Sequence, residues 1–262
     1  MIRRPYKDIP ESIASLLGQL IDPNDSYLTN HARRTARTIA TLIDQNPKGK
    51  LLELGTSQII PIALSTLAPE LEVHVTDFDL AKPSSGKMTV SLGESSRKVP
   101  VYRVDLETQL LPVEDATFDY VLCCEVIEHL EVDPMFMVAE INRILKPDGM
   151  LILTTPNITS SRAIWKILRG LEPYFYMQYR HEPKLYRHNY EYSPYTITQV
   201  LKAGGFDGSV WTEDSFEDGV TEDVAKLRAI GYSMNNIGDN IFCVAKKVGP
   251  VVSRHPKVIY AD

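Results

Sequence analysis

The sequence is poor in cysteine, and it has no hydrophobic run of the length that a membrane crossing requires. Three cysteines occur in 262 residues, two of them adjacent, and all lie within apolar runs. This count disfavours a disulfide framework and favours buried thiols in a reducing compartment. No apolar run approaches the ~20 residues of a membrane-spanning helix. The N-terminal "MIRRPYKDIPES" lacks the apolar core of a secretory signal, so we predict a cytoplasmic protein.

An excess of positive charge is also absent. The chain has 28 basic and 34 acidic residues, which give a formal net charge of −6 at pH 7. Such a balance argues against a general nucleic-acid binder, although it leaves room for a local basic patch. The sequence also has no internal repeat and no long low-complexity segment. With 44% hydrophobic residues, the chain is long enough to bury one large core.

From residue 50 onwards, short apolar runs alternate with helical patterns. This alternation is typical of a parallel sheet with helices on both faces. Strands are predicted at residues 50–54, 71–76, 99–104, 118–124, 150–156, 209–213 and 240–247. Helices are predicted at 61–68, from Asp133-Pro134 onwards and at 194–203. The polar stretch between the second and third strands, with Pro83, Gly86 and several serines, is predicted to be a loop.

The pattern divides the chain into segments. Two apolar stripes of helical spacing predict an N-terminal helical lid over residues 1–47: Ile13, Leu16, Leu17 and Leu20, and His31, Thr35, Ile39 and Leu42. The α/β domain is predicted at 48–247. Residues 158–192 interrupt its rhythm and are predicted to be an insertion over the carboxyl edge of the sheet. The tail at 248–262 is expected to be loose.

Three strands end in residues that suit a nucleotide-like ligand. Gly55, Asp77 and Asp105 follow or end the first three predicted strands. In an open α/β sheet, ligands bind outside the carboxyl ends of the strands. Gly55 allows close approach of a ligand, and Asp77 is placed to accept hydrogen bonds from ribose hydroxyls. A nicotinamide-dependent dehydrogenase would need G-x-G-x-x-G after the first strand, and that motif is missing.

The order of the motifs resembles a known family. The strings "LLELGTS", "VTDFD", "VDLE", "FDYVLCCEVIEHL" and "ILKPDGMLILTTPN" resemble the class I S-adenosylmethionine-dependent methyltransferases of types 11 and 12, over residues 48–206. The resemblance implies a methyltransferase with S-adenosylmethionine as cofactor. It also implies a Rossmann-like, seven-stranded, mostly parallel sheet of order 3-2-1-4-5-7-6.

Matched position by position, the resemblance implies a cofactor site. It places Glu53 and Gly55 under the methionine part, Asp77 at the ribose, and Asp105 with Leu106 at the adenine. The complete implied set is Glu53, Gly55, Thr56, Ser57, Asp77, Phe78, Asp105, Leu106 and Glu125. The family usually has several glycines after the first acid, whereas this chain has Gly55-Thr56-Ser57-Gln58. One side chain of that run is therefore expected to point away from the cofactor.

The string "CCEVIEHL" places two glutamates and a histidine directly after the fourth strand. If these residues turn helically, Glu125, Glu128 and His129 share one face. With "YRHNYEYSPYT" at 186–196, the string resembles the small-RNA 2′-O-methyltransferases, which implies that Glu125, Glu128, His129 and His188 hold a divalent metal such as Mg²⁺ or Mn²⁺. Two alternatives stay open. Without a metal, His129 or His188 acts as a general base beside Glu128, or the acids only cap turns and hold the cofactor.

The predicted insertion bears on the methyl acceptor. It interleaves Arg162, Lys166, Arg169, Arg180, Lys184 and Arg187 with Trp165, Tyr174, Phe175, Tyr176, Tyr179 and Tyr186. Aromatic rings beside bases suit sugars, nucleotide diphosphates or RNA ends, and they also suit a plain aromatic packing layer. The segment also resembles bacterial methyltransferases of glycan and polysaccharide biosynthesis, so O-methylation of a sugar hydroxyl is the favoured hypothesis. An RNA ribose, an N-methyl acceptor and a scaffold that has lost cofactor binding are the alternatives.

Overall fold

One eight-stranded sheet organises the chain. The computed structural model describes residues 9–173, 187–214 and 221–261. The strands lie in the order β3-β4-β2-β1-β5-β6-β8-β7. Their bounds are β1 Gly49–Leu54, β2 Leu71–Asp77, β3 Ser85–Leu92, β4 Ser95–Arg103, β5 Phe118–Cys124, β6 Leu145–Pro156, β7 Phe206–Glu213 and β8 Asn240–Lys247. The helices are α1 Glu11–Leu20, α2 Ser26–Ile43, α3 Ile59–Leu67, α4 Pro134–Ile144, α5 Ser161–Leu168, α6 Pro194–Ala203 and α7 Thr221–Ala229.

The sheet is mostly parallel, as predicted. Strands β4, β2, β1, β5 and β6 pair in parallel, and β8 lies antiparallel between β6 and β7. The central strands are rich in buried apolar residues because helices cover both of their faces. Without β3, the observed order is the predicted 3-2-1-4-5-7-6, so the fold class is confirmed.

The predicted loop between the second and third strands is wrong, because half of it is a strand. β3 forms an antiparallel hairpin with β4, closed by the two residues Gly93 and Glu94. Gly93 has φ +56, a conformation that suits the turn of a hairpin. Along β3, Val90 is buried while most of the other residues are exposed. The strand lies at the edge of the sheet, where an outer face of serine, threonine and lysine is tolerated, and this polar composition predicted a loop.

The N-terminal helices pack on one face of the sheet. Residues of α1, α2 and α3 form a buried cluster with β1 and β2, in which Ile13, Ile39 and Leu51 are almost fully buried. Helix α2 is also tied to the far edge by a buried ion pair, because Nε of Arg37 donates to Oε2 of Glu213 at 2.9 Å. The helices predicted for residues 1–47 therefore form a layer that packs on one face of the sheet.

The C-terminal tail is ordered against the opposite face, so the expectation of a loose tail is wrong. The backbone N–H of Val252 donates to the carbonyl of Ala203 at 2.8 Å. The guanidinium of Arg254 pairs with the carboxylate of Asp133 at 2.6 Å, and the hydroxyl of Tyr260 contacts the same carboxylate. Asp133 is the residue that caps α4, as predicted from the Asp-Pro pair. None of the helices in the described part of the chain has the length and apolarity that a membrane crossing requires.

Candidate functional site

The carboxyl ends of β1, β2 and β4 converge at one edge of the sheet. The N–H of Gly55 donates to Oγ1 of Thr76 at 2.8 Å, which ties the end of β1 to the end of β2. The N–H of Val104 donates to the carbonyl of Asp77 at 3.2 Å, which ties the end of β4 to β2. The three predicted positions Gly55, Asp77 and Asp105 therefore lie side by side.

The loop after β1 leaves open space above its glycine. Gly55 has φ +68, and a β carbon added there would meet only Cγ2 of Val126, at 3.6 Å. The Thr56 hydroxyl donates to the carbonyl of Thr76 at 2.8 Å, and Oγ of Ser57 accepts from the N–H of Ile60 at 3.1 Å. Both side chains thus hold the loop and the start of α3.

Glu53 lies buried beneath this loop. Its Oε1 accepts a hydrogen bond from the N–H of Ser57 at 3.3 Å. Its Oε2 is buried and has no hydrogen-bond partner among the described residues. Burial raises the pKa of this carboxyl group to about 8, against the hydrogen bonds from Ser57, which lower it. An acid with an unsatisfied oxygen at this position suits a cationic ligand group.

The ends of β2 and β4 present one acid and one aromatic ring to solvent. The side chain of Asp77 is 31% exposed, and its Oδ2 lies 3.5 Å from Nε of Arg103. Phe78 is 47% exposed. The Asp105 carboxylate accepts from the N–H of Glu107 at 2.9 Å and is occupied in its own turn, while Leu106 packs against the core. Of these residues, Asp77 and Phe78 are therefore the ones that reach outward.

Glu125 joins three elements at the same edge of the sheet. Its backbone has φ +56, which is unusual for a residue with a side chain. Its carboxylate accepts from Nη1 of Arg34 at 2.8 Å, from Oγ1 of Thr154 at 2.8 Å and from Nδ2 of Asn240 at 2.9 Å. Burial by itself lowers the pKa of Arg34, but the charge of Glu125 and neighbouring groups outweigh it and the net shift is upward. Arg34 and Asn240 lie far from Glu125 in sequence, and no local pattern pointed to them.

The predicted helical face of Glu125, Glu128 and His129 is wrong. Only Ile127–His129 form a turn, of the 3₁₀ type, and Glu125 lies before it. The structure instead groups Glu128, His129 and His188, whose potential ligand atoms lie within 4.8 Å of one another. Glu125, predicted as a fourth metal ligand, is not in this group, because its carboxylate is turned toward Arg34.

Glu128 is the buried acid of this group. Its Oε2 accepts from Oγ1 of Thr155 at 2.9 Å, while its Oε1 is buried and lacks a hydrogen-bond partner within the described ranges. Burial raises the pKa of Glu128 well above its usual range, and the nearby charge of Glu125 adds to the rise. Nε2 of His129 lies 4.0 Å from the unsatisfied oxygen.

The chain after the predicted insertion brings His188 to the group. The rings of His129 and His188 are 4.9 Å apart between centroids and nearly perpendicular. Nδ1 of His129 lies 3.0 Å from the carbonyl oxygen of Arg187. Because a carbonyl only accepts, this nitrogen carries the proton and the lone pair of His129 is on Nε2. The insertion residues Tyr174, Phe175, Tyr176, Tyr179, Arg180, Lys184 and Tyr186 lie outside the described residues.

Comparison with known proteins agrees with this geometry. The family described as "Methyltransferase domain" matches residues 55–153. A ubiquinone biosynthesis O-methyltransferase of Idiomarina loihiensis is 30% identical over 155 residues, which are 56% of this chain and 61% of that protein. One of Maricaulis maris is 34% identical over 90 residues, which are 34% of this chain and 35% of that protein. The chain thus spans less than two thirds of the length of these relatives.

Solved structures share the fold at low sequence identity. A SAM-dependent methyltransferase of Thermotoga maritima superposes with a TM-score of 0.55 at 15% identity, covering 89% of this chain and 99% of that chain. One of Archaeoglobus fulgidus gives a TM-score of 0.51 at 15% identity, covering 86% of this chain and all of that chain (100%). Residues 55–153 thus match a methyltransferase domain, and the chain shares the fold of these S-adenosylmethionine-dependent methyltransferases.

Proposed function

We propose that the protein is an S-adenosylmethionine-dependent O-methyltransferase. The observation that carries the proposal is the convergence of Gly55, Asp77 and Asp105 at one sheet edge inside a methyltransferase domain. Two relatives named O-methyltransferases support an oxygen acceptor. A scaffold that has lost cofactor binding is the non-enzymatic alternative, and absence of calorimetric binding at millimolar cofactor would favour it.

The residues at the strand ends fit the cofactor. In this proposal, the unsatisfied oxygen of Glu53 faces the amino group of the methionine part, and the open space above Gly55 takes its backbone. Asp77 accepts hydrogen bonds from the ribose hydroxyls, and the exposed ring of Phe78 packs on the adenine with Leu106. Thr56, Ser57 and Asp105 hold the loops in place. Glu125 forms the wall at β5 together with Arg34.

The transfer is a single displacement. S-adenosylmethionine, when bound, supplies a methyl group that the acceptor oxygen attacks in line with the departing sulfur. The chain aligns the acceptor and excludes water, and these effects supply much of the rate of such a reaction. The proton of the acceptor hydroxyl passes to Nε2 of His129 or to His188 in this proposal. Glu128 lies beside both rings, and the positive charge that forms on the imidazole favours the ionised form of this acid, which then stabilises the imidazolium.

Glu128, His129 and His188 also fit a divalent cation, because a buried carboxylate oxygen without a hydrogen-bond partner among the described residues lies beside two imidazoles. Mixed nitrogen and oxygen donors suit Mn²⁺ or a similar ion better than Mg²⁺. A bound cation supplies a Lewis acid that lowers the pKa of a hydroxyl group.

Glu128→Ala and His188→Ala are each expected to weaken Mn²⁺ binding at least tenfold, because each removes one of three ligands. Calorimetric titration of Mn²⁺ into the metal-free protein measures this without an activity assay. Glu70→Ala, an exposed acid in the pair with Lys48, is the matched control and should leave binding unchanged. Methyl transfer that persists in chelator and survives both substitutions would exclude metal assistance and would leave His129 as the candidate base.

The acceptor that we propose is a sugar hydroxyl. The support is the mixture of aromatic and basic residues at 158–192 and the resemblance to methyltransferases of glycan biosynthesis. The relatives of ubiquinone biosynthesis favour a phenolic hydroxyl as the second candidate. Transfer of a labelled methyl group to nucleotide sugars, compared with simple catechols, separates the two classes.

Asp77→Ala is expected to weaken binding of S-adenosylmethionine by at least roughly 10- to 150-fold, because one hydrogen bond to a charged acceptor contributes about 1.5–3 kcal/mol. Isothermal calorimetry measures the affinity. Asp79→Ala is a matched control, since Asp79 pairs with Lys82, three residues further along, and its side chain is 38% exposed. Equal affinity of Asp77→Ala and the unmodified protein would contradict the proposed cofactor site.

A further inference from the structure

Glu191 is a buried acid beside His188 that no sequence pattern singled out. Its side chain is 2% exposed, and its Oε1 lies 2.8 Å from Nδ1 of His188. Its second oxygen is buried and has no hydrogen-bond partner in the part of the chain that the structure describes. Burial of a carboxylate costs free energy unless both of its oxygens are hydrogen-bonded. This pair therefore differs from an ordinary surface ion pair.

The segment that carries the pair is fixed to the site from both sides. The N–H of Asn189 donates to the carbonyl of Glu128 at 2.7 Å, and its amide Nδ2 donates to the carbonyl of His129 at 2.8 Å. The N–H of Ile158 donates to the carbonyl of Tyr192 at 2.9 Å, which attaches the segment to the end of β6. The backbone around Glu191 and His188 is therefore held against the other members of the site.

The hydrogen bond from His188 defines its protonation pattern. With the Glu191 carboxylate as the acceptor, Nδ1 of His188 donates this hydrogen bond and the lone pair lies on Nε2. His129 has the same tautomer through the carbonyl of Arg187. In both rings, Nδ1 is hydrogen-bonded and Nε2, which has the lone pair, lies on the other side of the ring. The hydrogen bond to the buried side chain of Glu191 also restrains rotation of the His188 ring.

We propose that Glu191 is a positioning residue that orients His188 and fixes its tautomer, so that Nε2 serves the acceptor hydroxyl or a cation in the site. The proposal rests on the proposed function for the role of His188, whereas the orientation itself is a property of the ligand-free protein. In this arrangement Glu191 acts through the imidazole and does not touch the acceptor. Carboxylate partners of this kind are worth about 10- to 100-fold in metal affinity or activity.

The primary test is the tautomer of His188 in the metal-free protein. Nitrogen-15 NMR of histidine-labelled protein at about pH 8.5, where an ordinary imidazole is neutral, distinguishes an N–H nitrogen from one with a lone pair. The signals of His188 are assigned by their loss in His188→Gln. In the unmodified protein we expect Nδ1–H with the lone pair on Nε2. Glu191→Gln, which has nearly the same shape, is expected to give a mixture of tautomers.

Activity supplies the second readout. Glu191→Gln is expected to lower kcat about 10- to 100-fold with little change in KM for the cofactor, and Glu191→Asp is expected to recover part of the loss. Glu72→Gln is the matched control, because Glu72 pairs with Nε2 of His74 at 2.9 Å within β2, outside the site. Its activity and the His188 signals are expected to stay unchanged.

Two results would overturn the proposal. One is a proton on Nε2 of His188 in the unmodified protein, and the other is an unchanged tautomer in Glu191→Gln. Both come from the ligand-free protein and do not depend on methyl transfer. An inactive unmodified protein that nevertheless shows the expected tautomer would count against the proposed function and would support the positioning by Glu191.

Discussion

An Arg34→Met variant is expected to unfold with a free energy about 3–5 kcal/mol lower than that of the unmodified protein. Arg34 and Glu125 form an ion pair at 2.8 Å whose side chains are only 14% and 16% exposed. Removal of the cation leaves the Glu125 carboxylate with Thr154 and Asn240 as its remaining side-chain partners. A half-buried charge that loses its counterion keeps its desolvation cost, and this cost is the reason for the large effect.

The backbone of Glu125 adds to the expected loss. A non-glycine residue at φ +56 is strained by about 1–2 kcal/mol, and surrounding contacts must hold it there. Its N–H donates to the carbonyl of Thr154 at 2.9 Å, so the side chain and the backbone are anchored together. Loss of Arg34 weakens that anchor at the edge where the cofactor is proposed to bind. We therefore also expect weaker calorimetric binding of S-adenosylmethionine.

Denaturant unfolding of four proteins tests this interaction: the unmodified chain, Arg34→Met, Glu125→Gln and the double variant. The double variant is expected to be more stable than Arg34→Met, because it no longer buries an unpaired charge. Lys48→Met is the control, since the pair of Lys48 with Glu70 spans 3.7 Å with both side chains more than 65% exposed. Its change should stay within about 1 kcal/mol. A loss from Arg34→Met no larger than that of the control would contradict the buried ion pair.

The elements that were predicted correctly are those whose information is local. Continuous apolar runs such as 120–124 are unfavourable on a face exposed to water, so they indicate central parallel strands. Asp133-Pro134 combines a capping carboxylate with a residue suited to the first helical position, and α4 begins there. The proximity of Gly55, Asp77 and Asp105 was predicted because the carboxyl ends of parallel strands meet at one edge of the sheet.

The features that were missed depend on contacts between distant parts of the chain. The polar composition of β3 is compatible with an edge strand and with a loop. The pairing with β4 is what shows that it is a strand. The partner of Glu125 comes from α2, 91 residues away, and no periodicity connects them. The positive φ of Glu125 likewise breaks the helical spacing that grouped it with Glu128. Glu191 was missed because the sequence alone does not distinguish a buried acid from a surface acid. The burial follows from the position of its segment in the fold.

The unmodified protein is expected to lose stability as pH rises, and the variant Glu53→Gln is expected to lack this loss. The folded state raises the pKa of Glu53 from 4.5 to about 8 because the carboxyl group is fully buried. Below pH 4.5 both the folded and the unfolded chain hold this proton. Between pH 4.5 and 8 the unfolded chain releases the proton and the folded chain keeps it, so the free energy of unfolding falls as pH rises. The shift corresponds to roughly 5 kcal/mol at most.

Unfolding in denaturant at several pH values between 5 and 9 tests this expectation. Glu128, whose pKa is also raised by burial, contributes its own slope, so the test compares variants at each pH. Glu53→Gln should be the more stable protein at high pH and should show a flatter profile. Glu70→Gln, whose side chain is 74% exposed, is the control and should follow the unmodified protein. Parallel profiles for the unmodified protein and Glu53→Gln would contradict the raised pKa.

The same carboxyl group links the cofactor to pH. If the amino group of S-adenosylmethionine lies beside Glu53, its positive charge favours the ionised acid and lowers the pKa of the carboxyl group on binding. Binding near pH 7 then releases a proton from Glu53, and affinity rises as pH increases toward 8. Calorimetry in buffers of different ionisation enthalpy counts that proton. Glu53→Gln has no proton to release at this position, so its affinity should lose that pH dependence. Equal proton release by both proteins would place the cofactor's charge away from Glu53.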